Sequence, residues 1–238
     1  MEQKDVLPPM EEKPKFVRNM FTEISARYDL MNRIMTLGQD RRWRSMVVKE
    51  ARLPENGSFL DVATGTGDIG YEALRQHPGA WVVGLDFSPG MIEVGRRKHS
   101  GRGFPFVMGD ALNLPFPNDS FDAAASGFMM RNVVDIERAF SEQVRVVKPG
   151  GRVICLEITR PSTPLWKDIF HFYFFDLVPF IGQLVSKRKN AYTYLPHSTL
   201  AFPRPEELKG IMESAGLSDV TYKVLMLGTV AIHVGVKK

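Results

Sequence analysis

A few carboxylates and a pair of glycines carry most of the chemical information in this chain. The run Leu60-Asp61-Val62-Ala63-Thr64-Gly65-Thr66-Gly67-Asp68 passes from apolar residues into a glycine-rich turn, and Gly84-Leu85-Asp86 closes the next apolar run. Gly65 and Gly67 permit a sharp turn and a close backbone approach to a ligand, where a Cβ would collide. Asp86, ending the following strand, is placed to accept hydrogen bonds from two ribose hydroxyls. The stretch Gly65-Thr66-Gly67-Asp68-Ile69-Gly70 also satisfies G-x-G-x-x-G, so spacing alone leaves a dinucleotide, a sulfonium nucleoside and an ordinary βα turn all open. Three acids favour the sulfonium nucleoside, S-adenosyl-L-methionine. Asp68 falls at the expected helix start, where a pyrophosphate needs a helix end free of negative charge. Asp61 suits the ammonium of a methionine tail. Asp110, in Gly109-Asp110-Ala111 after the apolar run Phe104 to Met108, can reach an adenine amino group.

These acids meet only if parallel strands end side by side. Ser58 to Val62, Ala80 to Leu85, Phe104 to Met108, Phe121 to Ala125 and Arg152 to Glu157 read as short buried strands separated by helices, an alternation that demands a parallel, doubly wound α/β sheet. Lys15 to Tyr28 and Gln39 to Ala51 carry apolar residues at helical spacing ahead of it. Pro205 to Ala215 is a helix with proline at its start and Gly216 past its end, and Val220 to Leu227 pairs with Thr229 to Val236 through a turn at Gly228. The reading is one domain over residues 15–238, with residues 1–14 lacking order and a helical insertion at about 162–200.

Composition narrows the function classes. The chain has 238 residues, 44% of them apolar, enough for a large core. Thirty-one basic against 27 acidic residues give a net charge of +4 without a basic stripe, which argues against nucleic acid as a partner. The five histidines are scattered, and no metal is expected. Cys155 lies within an apolar run, cannot form an intrachain disulfide and fits a cytosolic compartment; no apolar segment precedes Phe16, so neither a signal nor a transit peptide is expected.

Two stretches are more specific. Tyr28-Asp29-Leu30-Met31-Asn32 with Trp43, and Arg145-Val146-Val147-Lys148-Pro149-Gly150-Gly151-Arg152-Val153 with Leu156-Glu157, make the chain resemble the UbiE/MenG family, the C-methyltransferases of ubiquinone and menaquinone biosynthesis. The resemblance runs from Phe21 to the C-terminus. It implies the class I methyltransferase fold, a Rossmann-like seven-stranded sheet whose last strand is antiparallel, with S-adenosyl-L-methionine as cofactor. The implied cofactor residues are Asp61, Thr64, Gly65, Thr66 and Gly67, then Asp86, Asp110, Ala111 and Gly127. Phe128-Met129-Met130-Arg131-Asn132-Val133 is similar to a family segment but has Met129 where the family has glycine, and Gly127 stands where a cofactor-contacting serine is common. Thr36 and Thr159, in place of the usual serines, are mild departures, whereas Asp40, where many members have histidine, is not.

The implied substrate is a polyprenylated quinol, demethylmenaquinol ahead of the ubiquinone-pathway benzoquinol. Its ring carbon becomes nucleophilic once a neighbouring hydroxyl loses its proton, and a phenol ionises near pH 10 unaided. Arg131 is the expected cation beside the phenolate, Tyr28 and Asn132 are expected to hold a water or the hydroxyl, and Asp29 is the candidate proton acceptor. The plainer readings are a helix start with a salt bridge for Arg131-Asn132 and helix capping for Tyr28-Asp29. The aromatic stretch from Phe170 to Ile181 is too short to cross a bilayer and reads as core, dimer contact or a lid for an isoprenoid tail. Lys187-Arg188-Lys189 and Arg41-Arg42-Trp43-Arg44 stand ready to hold its opening at anionic headgroups, on the inner face of a membrane. The resemblance leaves room for a homodimer. Methylation of another small molecule, a non-catalytic cofactor-binding partner in a biosynthetic complex, and a dinucleotide oxidoreductase are the competing readings.

Overall fold

Strands whose two faces are both covered read as unbroken apolar runs, and the central strands here are of that kind. A computed structural model describes residues 7–99, 103–161, 163–186 and 189–238. Two helices come first, α1 (Lys13–Met35) and α2 (Asp40–Ala51); then β1 (Ser58–Val62), α3 (Asp68–Gln76), β2 (Trp81–Asp86), α4 (Pro89–Lys98), β3 (Phe106–Met108), β4 (Phe121–Gly127), α5 (Ile136–Val146) and β5 (Val147–Ile158) alternate. The insertion is α6 (Pro164–Phe172), α7 (Val178–Ser186) and α8 (Lys189–Ala201), with a π-helical turn, Tyr173–Leu177, joining the first two. Helix α9 (Pro205–Ser214) and strands β6 (Leu217–Leu225) and β7 (Val230–Lys237) close the chain.

The seven strands lie in the order β3-β2-β1-β4-β5-β7-β6. The first five are mutually parallel, and β7 runs antiparallel to both β5 and β6. The sheet is therefore the doubly wound type read from the sequence, with its antiparallel final strand. Its order reverses between β1 and β4, where the crevice beyond the strand ends forms. One apolar core fills the side of α5 and α9, a second fills the side of α2 and α3, and a third joins α1 to the insertion.

Helix α1 is longer at both ends than the periodicity implies. It starts at Lys13, inside the stretch expected to lack order, because the Lys13 ammonium donates to the carbonyls of Arg131 (3.2 Å) and Val133 (2.8 Å). It runs on to Met35, whose carbonyl accepts from the Tyr173 hydroxyl at 2.6 Å, tying the insertion to α1. Tyr28 and Asp29 thus sit in mid-helix, which rules out the capping role. Lys187 and Arg188 lie outside the described residues, as does the side chain of Lys189.

Candidate active site

Two cavities meet at the C-terminal edge of the sheet. The first, of about 120 Å³, opens at the point where the strand order reverses. Its floor comes from the segments following β1 (Ala63, Gly65), β2 (Asp86, Ser88), β3 (Asp110, Ala111) and β4 (Gly127, Met129), and Pro14, Val17 and Arg18 of α1 cover it. The second, of about 310 Å³, is almost wholly apolar and lies between α1 and the insertion. Phe21, Tyr28, Phe128 and Asn132 belong to both walls. Ala63 and Phe128 reach these positions in left-handed backbone (φ 55° and 59°), at a cost of about 1–2 kcal/mol each for residues that carry a Cβ. Such strain concentrates at working sites, and no local sequence signal announced it.

Asp86 is the organiser of the first cavity. Its carboxylate accepts from the Gly65 amide at 2.7 Å and the Ser88 amide at 2.8 Å. Burial lifts its pKa to about 6 against the pull of those N–H groups. Each oxygen still has a lone pair for a ribose hydroxyl. Asp61 lies buried under the turn, accepting from the Thr64 hydroxyl (2.6 Å) and the Gly70 amide (2.9 Å) through one oxygen. Its other oxygen has no hydrogen-bond partner among the described residues. Burial, with a smaller contribution from Asp86, raises its pKa to about 7. A buried carboxylate oxygen without a partner is costly unless a cation or donor reaches it.

Of the nine residues expected to hold a cofactor, Gly65, Asp86, Asp110, Ala111 and Gly127 line this cavity, and Asp61 with Thr64 support it from below. Thr66 and Gly67 are turned away from it. The Thr66 hydroxyl donates to Asp29 at 2.6 Å, and a Cβ on Gly67 would stand 2.9 Å from the ring of Phe106, so that glycine serves the packing of α3. A Cβ on Gly127 would meet the terminal Cδ1 of Ile69 at 2.8 Å, a contact that rotation of that side chain relieves, so nothing in the structure explains glycine here in place of serine.

The argument from Asp68 against a dinucleotide does not hold in the form read from the sequence. Its carboxylate is ion-paired with Arg44 at 2.7 Å and with Lys98, on the groove at the opposite face of the glycine turn. Burial opposes its charge, but Arg44 and Lys98 outweigh burial and hold its pKa low. It neither caps α3 through its side chain nor faces the cavity.

In the apolar cavity the candidates separate in the same way. Tyr28 and Asn132 stand at the junction, and Arg131 lines the apolar side. Asp29 lines neither cavity; it is held by Lys98 at 2.5 Å on the far face of α1. Arg131 is not a lone cation. Its Nη1 donates to Glu157 at 2.7 Å, both side chains are buried, and Arg131 Nε has no partner among the described residues. Burial raises the pKa of Glu157, and Arg131 partly offsets the shift. The pair presents an N–H donor and a dipole rather than a full positive charge. The sequence reading missed Glu157 as a partner, although an acid closing an apolar strand is the same signal that found Asp86. Of the aromatic stretch, Phe170, Tyr173 and Phe174 line the cavity while Phe172 and Phe180 are exposed.

Comparison with known proteins agrees with this architecture. The chain is 47% identical to a demethylmenaquinone methyltransferase of Roseiflexus castenholzii over 98% of each chain. It is 44% identical to the ubiquinone/menaquinone biosynthesis C-methyltransferase UbiE of Geobacter sulfurreducens, covering 95% of this chain and 90% of the relative. Among solved structures, a SAM-dependent methyltransferase from Thermotoga maritima superimposes with a TM-score of 0.65 at 22% identity over 93% of this chain and 99% of that one. The [4+2]-cyclase SpnF does so with a TM-score of 0.68 at 16% identity over 98% and 97%, and both show the class I methyltransferase fold. The ubiE/COQ5 methyltransferase family matches residues 9–237, nearly the whole chain, and it is to this family of methyltransferases that the protein belongs.

Proposed function

We propose that the protein transfers a methyl group from S-adenosyl-L-methionine to a ring carbon of a polyprenylated quinol, with demethylmenaquinol as the preferred substrate. The observation that carries this reading is the junction: an acid-floored nucleoside cavity and a large apolar cavity share Tyr28 and Asn132 as a common wall. Asp86 takes the ribose, Asp61 compensates the ammonium, and Asp110 and Ala111 flank the adenine. Bound there, S-adenosyl-L-methionine supplies an electrophilic sulfonium methyl. The chain's own residues prepare the acceptor. Tyr28 and Asn132 orient one ring hydroxyl at the junction, where the unpartnered Asn132 Oδ1 can accept its proton in a hydrogen bond. Arg131 Nε offers a donor to the oxygen as it gains charge, a contribution that grows as water leaves the cavity. Release of that hydroxyl's proton to water pushes density to the ring carbon, which takes the methyl group as its bond to sulfur breaks; the ring C–H proton then leaves to water and restores the aromatic ring, and alignment of the two reactants lowers the barrier further.

The tail lies along Phe170, Tyr173 and Phe174, where each buried methylene contributes about 0.8 kcal/mol. The mouth of this cavity carries exposed apolar side chains from separate segments: Leu37 (81% exposed), Trp166, Ile169, Met226 and Leu227 (62% exposed). Among the described residues no helix is long and apolar enough to cross a membrane. Contact with a bilayer therefore falls to this rim, with Arg41 and Arg42 exposed on the helix that follows Leu37. Labelled methyl transfer to a reduced prenylated naphthoquinol and benzoquinol, assayed side by side, tests the reading. Faster transfer to the naphthoquinol is expected. Cofactor binding without transfer to either ring leaves a non-catalytic partner as the better account.

A further inference from the structure

Tyr194 is 2% exposed, stands on α8 and lines the apolar cavity, yet its hydroxyl has no hydrogen-bond partner among the described residues. Its ring is fixed against Phe16 of α1, with centroids 5.4 Å apart. Burial pushes its pKa up to about 12, with Arg131 and Glu157 as its charged neighbours. Folding thus strips a phenol of water and offers it nothing in return, a cost that buried polar groups in native proteins seldom carry without a use. The sequence offered no hint of this: α8 has weak periodicity and contains Pro196.

The other buried polar atoms of this wall without a partner among the described residues are Arg131 Nε, Asn132 Oδ1 and Asn32 Nδ2, in a lining that is mostly apolar and whose Thr36, Thr229 and Tyr173 hydroxyls are each spent on a backbone carbonyl. Asn132 belongs to both cavities, so it serves the ring oxygen nearest the cofactor. Tyr194 belongs to the apolar cavity alone. A quinol has two hydroxyls on opposite sides of its ring, and one anchor fixes the ring's position without fixing its rotation. A second polar contact, remote from the first, decides which ring carbon faces the methyl group.

We infer that the Tyr194 hydroxyl binds the quinol hydroxyl distal to the cofactor cavity and so turns the open carbon of the hydroxylated ring toward the methyl group. The assignment rests on the quinol reading above. It makes Tyr194 a substrate contact rather than part of the protein's scaffold, since nothing among the described residues uses its hydroxyl.

Tyr194→Phe removes the hydroxyl and leaves the ring. Thermal unfolding of the variant should be unchanged or shifted upward, because an unsatisfied buried group has been deleted. Its kcat/KM on a reduced prenylated naphthoquinol should fall about tenfold. The decisive comparison uses the mono-methyl ether in which the distal hydroxyl is capped. Wild type should lose about tenfold on this ether relative to the quinol, and Tyr194→Phe should lose nothing further, the non-additivity that marks a direct contact. Equal kcat/KM for the two proteins on the quinol overturns the assignment. So does a tenfold loss that persists undiminished on the ether, which points to an effect through the fold. Wild type that methylates neither the naphthoquinol nor the benzoquinol overturns the quinol reading itself, and this assignment with it.

Discussion

Glu157→Gln and Arg131→Met each break the same buried ion pair, but they should fail differently with pH. The two side chains are buried and joined at 2.7 Å, so neither partner has water to fall back on. In Glu157→Gln the orphaned guanidinium cannot give up its proton. The glutamine oxygen still accepts a hydrogen bond, which places the loss near the lower end of the range for a broken buried pair, about 3 kcal/mol, and the variant's own stability has no titration at this position. In Arg131→Met the orphaned carboxyl can escape by taking a proton. Burial already raises its pKa, and removing Arg131 deletes the charge and the hydrogen bond that held it down. The folded pKa then lies further above the unfolded value of about 4.3, and the native state binds more protons than the unfolded one. Stability must fall as pH rises between those two values, by about 1.4 kcal/mol per pH unit. Urea midpoints at pH 5.5 and pH 8 read this directly: wild type, whose own Glu157 is raised, declines with pH less steeply than Arg131→Met, so the deficit of Arg131→Met grows with pH, that of Glu157→Gln narrows, and the double variant recovers relative to Glu157→Gln. Equal and pH-independent losses in both single variants would show that the pair is hydrated, and the account of Arg131 as a paired donor fails with it.

Asp86→Ala should weaken S-adenosyl-L-methionine binding by about 1.5–3 kcal/mol, the scale of hydrogen bonds to a charged group, and calorimetry finding full affinity in a folded variant removes Asp86 from the site. Asp61, with its pKa raised to about 7, must be ionised to compensate an ammonium, so cofactor affinity should decline as pH falls below 7 and the decline should vanish in Asp61→Asn. For the protein without ligand the same two carboxyls act in the opposite sense. Their folded values of about 7 and about 6 exceed the ordinary value, so the stability they contribute is full below about pH 4 and is lost as pH rises to 7, as the difference from Asp61→Asn in chemical denaturation across that range will register. Leu37→Asp combined with Leu227→Asp should release the protein from sedimenting anionic vesicles while leaving turnover of a short-tailed, water-soluble quinol intact; retention on the vesicles would exclude the rim as the membrane contact.

Where a residue sits along the chain was far easier to read than which way it points. Strand β1 matches its expected span because a strand buried on both faces has no alternation to misread, and Asp86 follows because an acid that ends such a run has little choice of position. Orientation depends on helices packing from elsewhere. Asp68 does begin α3, but its carboxylate is drawn to the far face by Arg44 of α2 and Lys98 of α4. Tyr28 and Asp29 were assigned together, although neighbours on a helix diverge by about 100°. Tyr28, Met31, Asn32 and Met35 face the cavity at helical spacing, whereas Asp29 and Arg33 share the opposite groove. That separation was present in the sequence as periodicity. The bond from Lys13 to the Arg131 carbonyl spans more than a hundred residues, and only the folded chain reveals it.

Helix α1 walls both cavities, covering the nucleoside side with Pro14, Val17 and Arg18 and the apolar side with Met31 and Met35, and Lys13 fastens it to the segment that carries Arg131 and Asn132. The two ligands therefore act on one shared rigid body, and their affinities become a single joint quantity. A contact that seats α1 against one ligand seats it for the other as well. Thermodynamic reciprocity then requires the same factor in both directions. Lengthening the isoprenoid tail, which touches only the apolar side, should tighten the dissociation constant of a nucleoside it never meets.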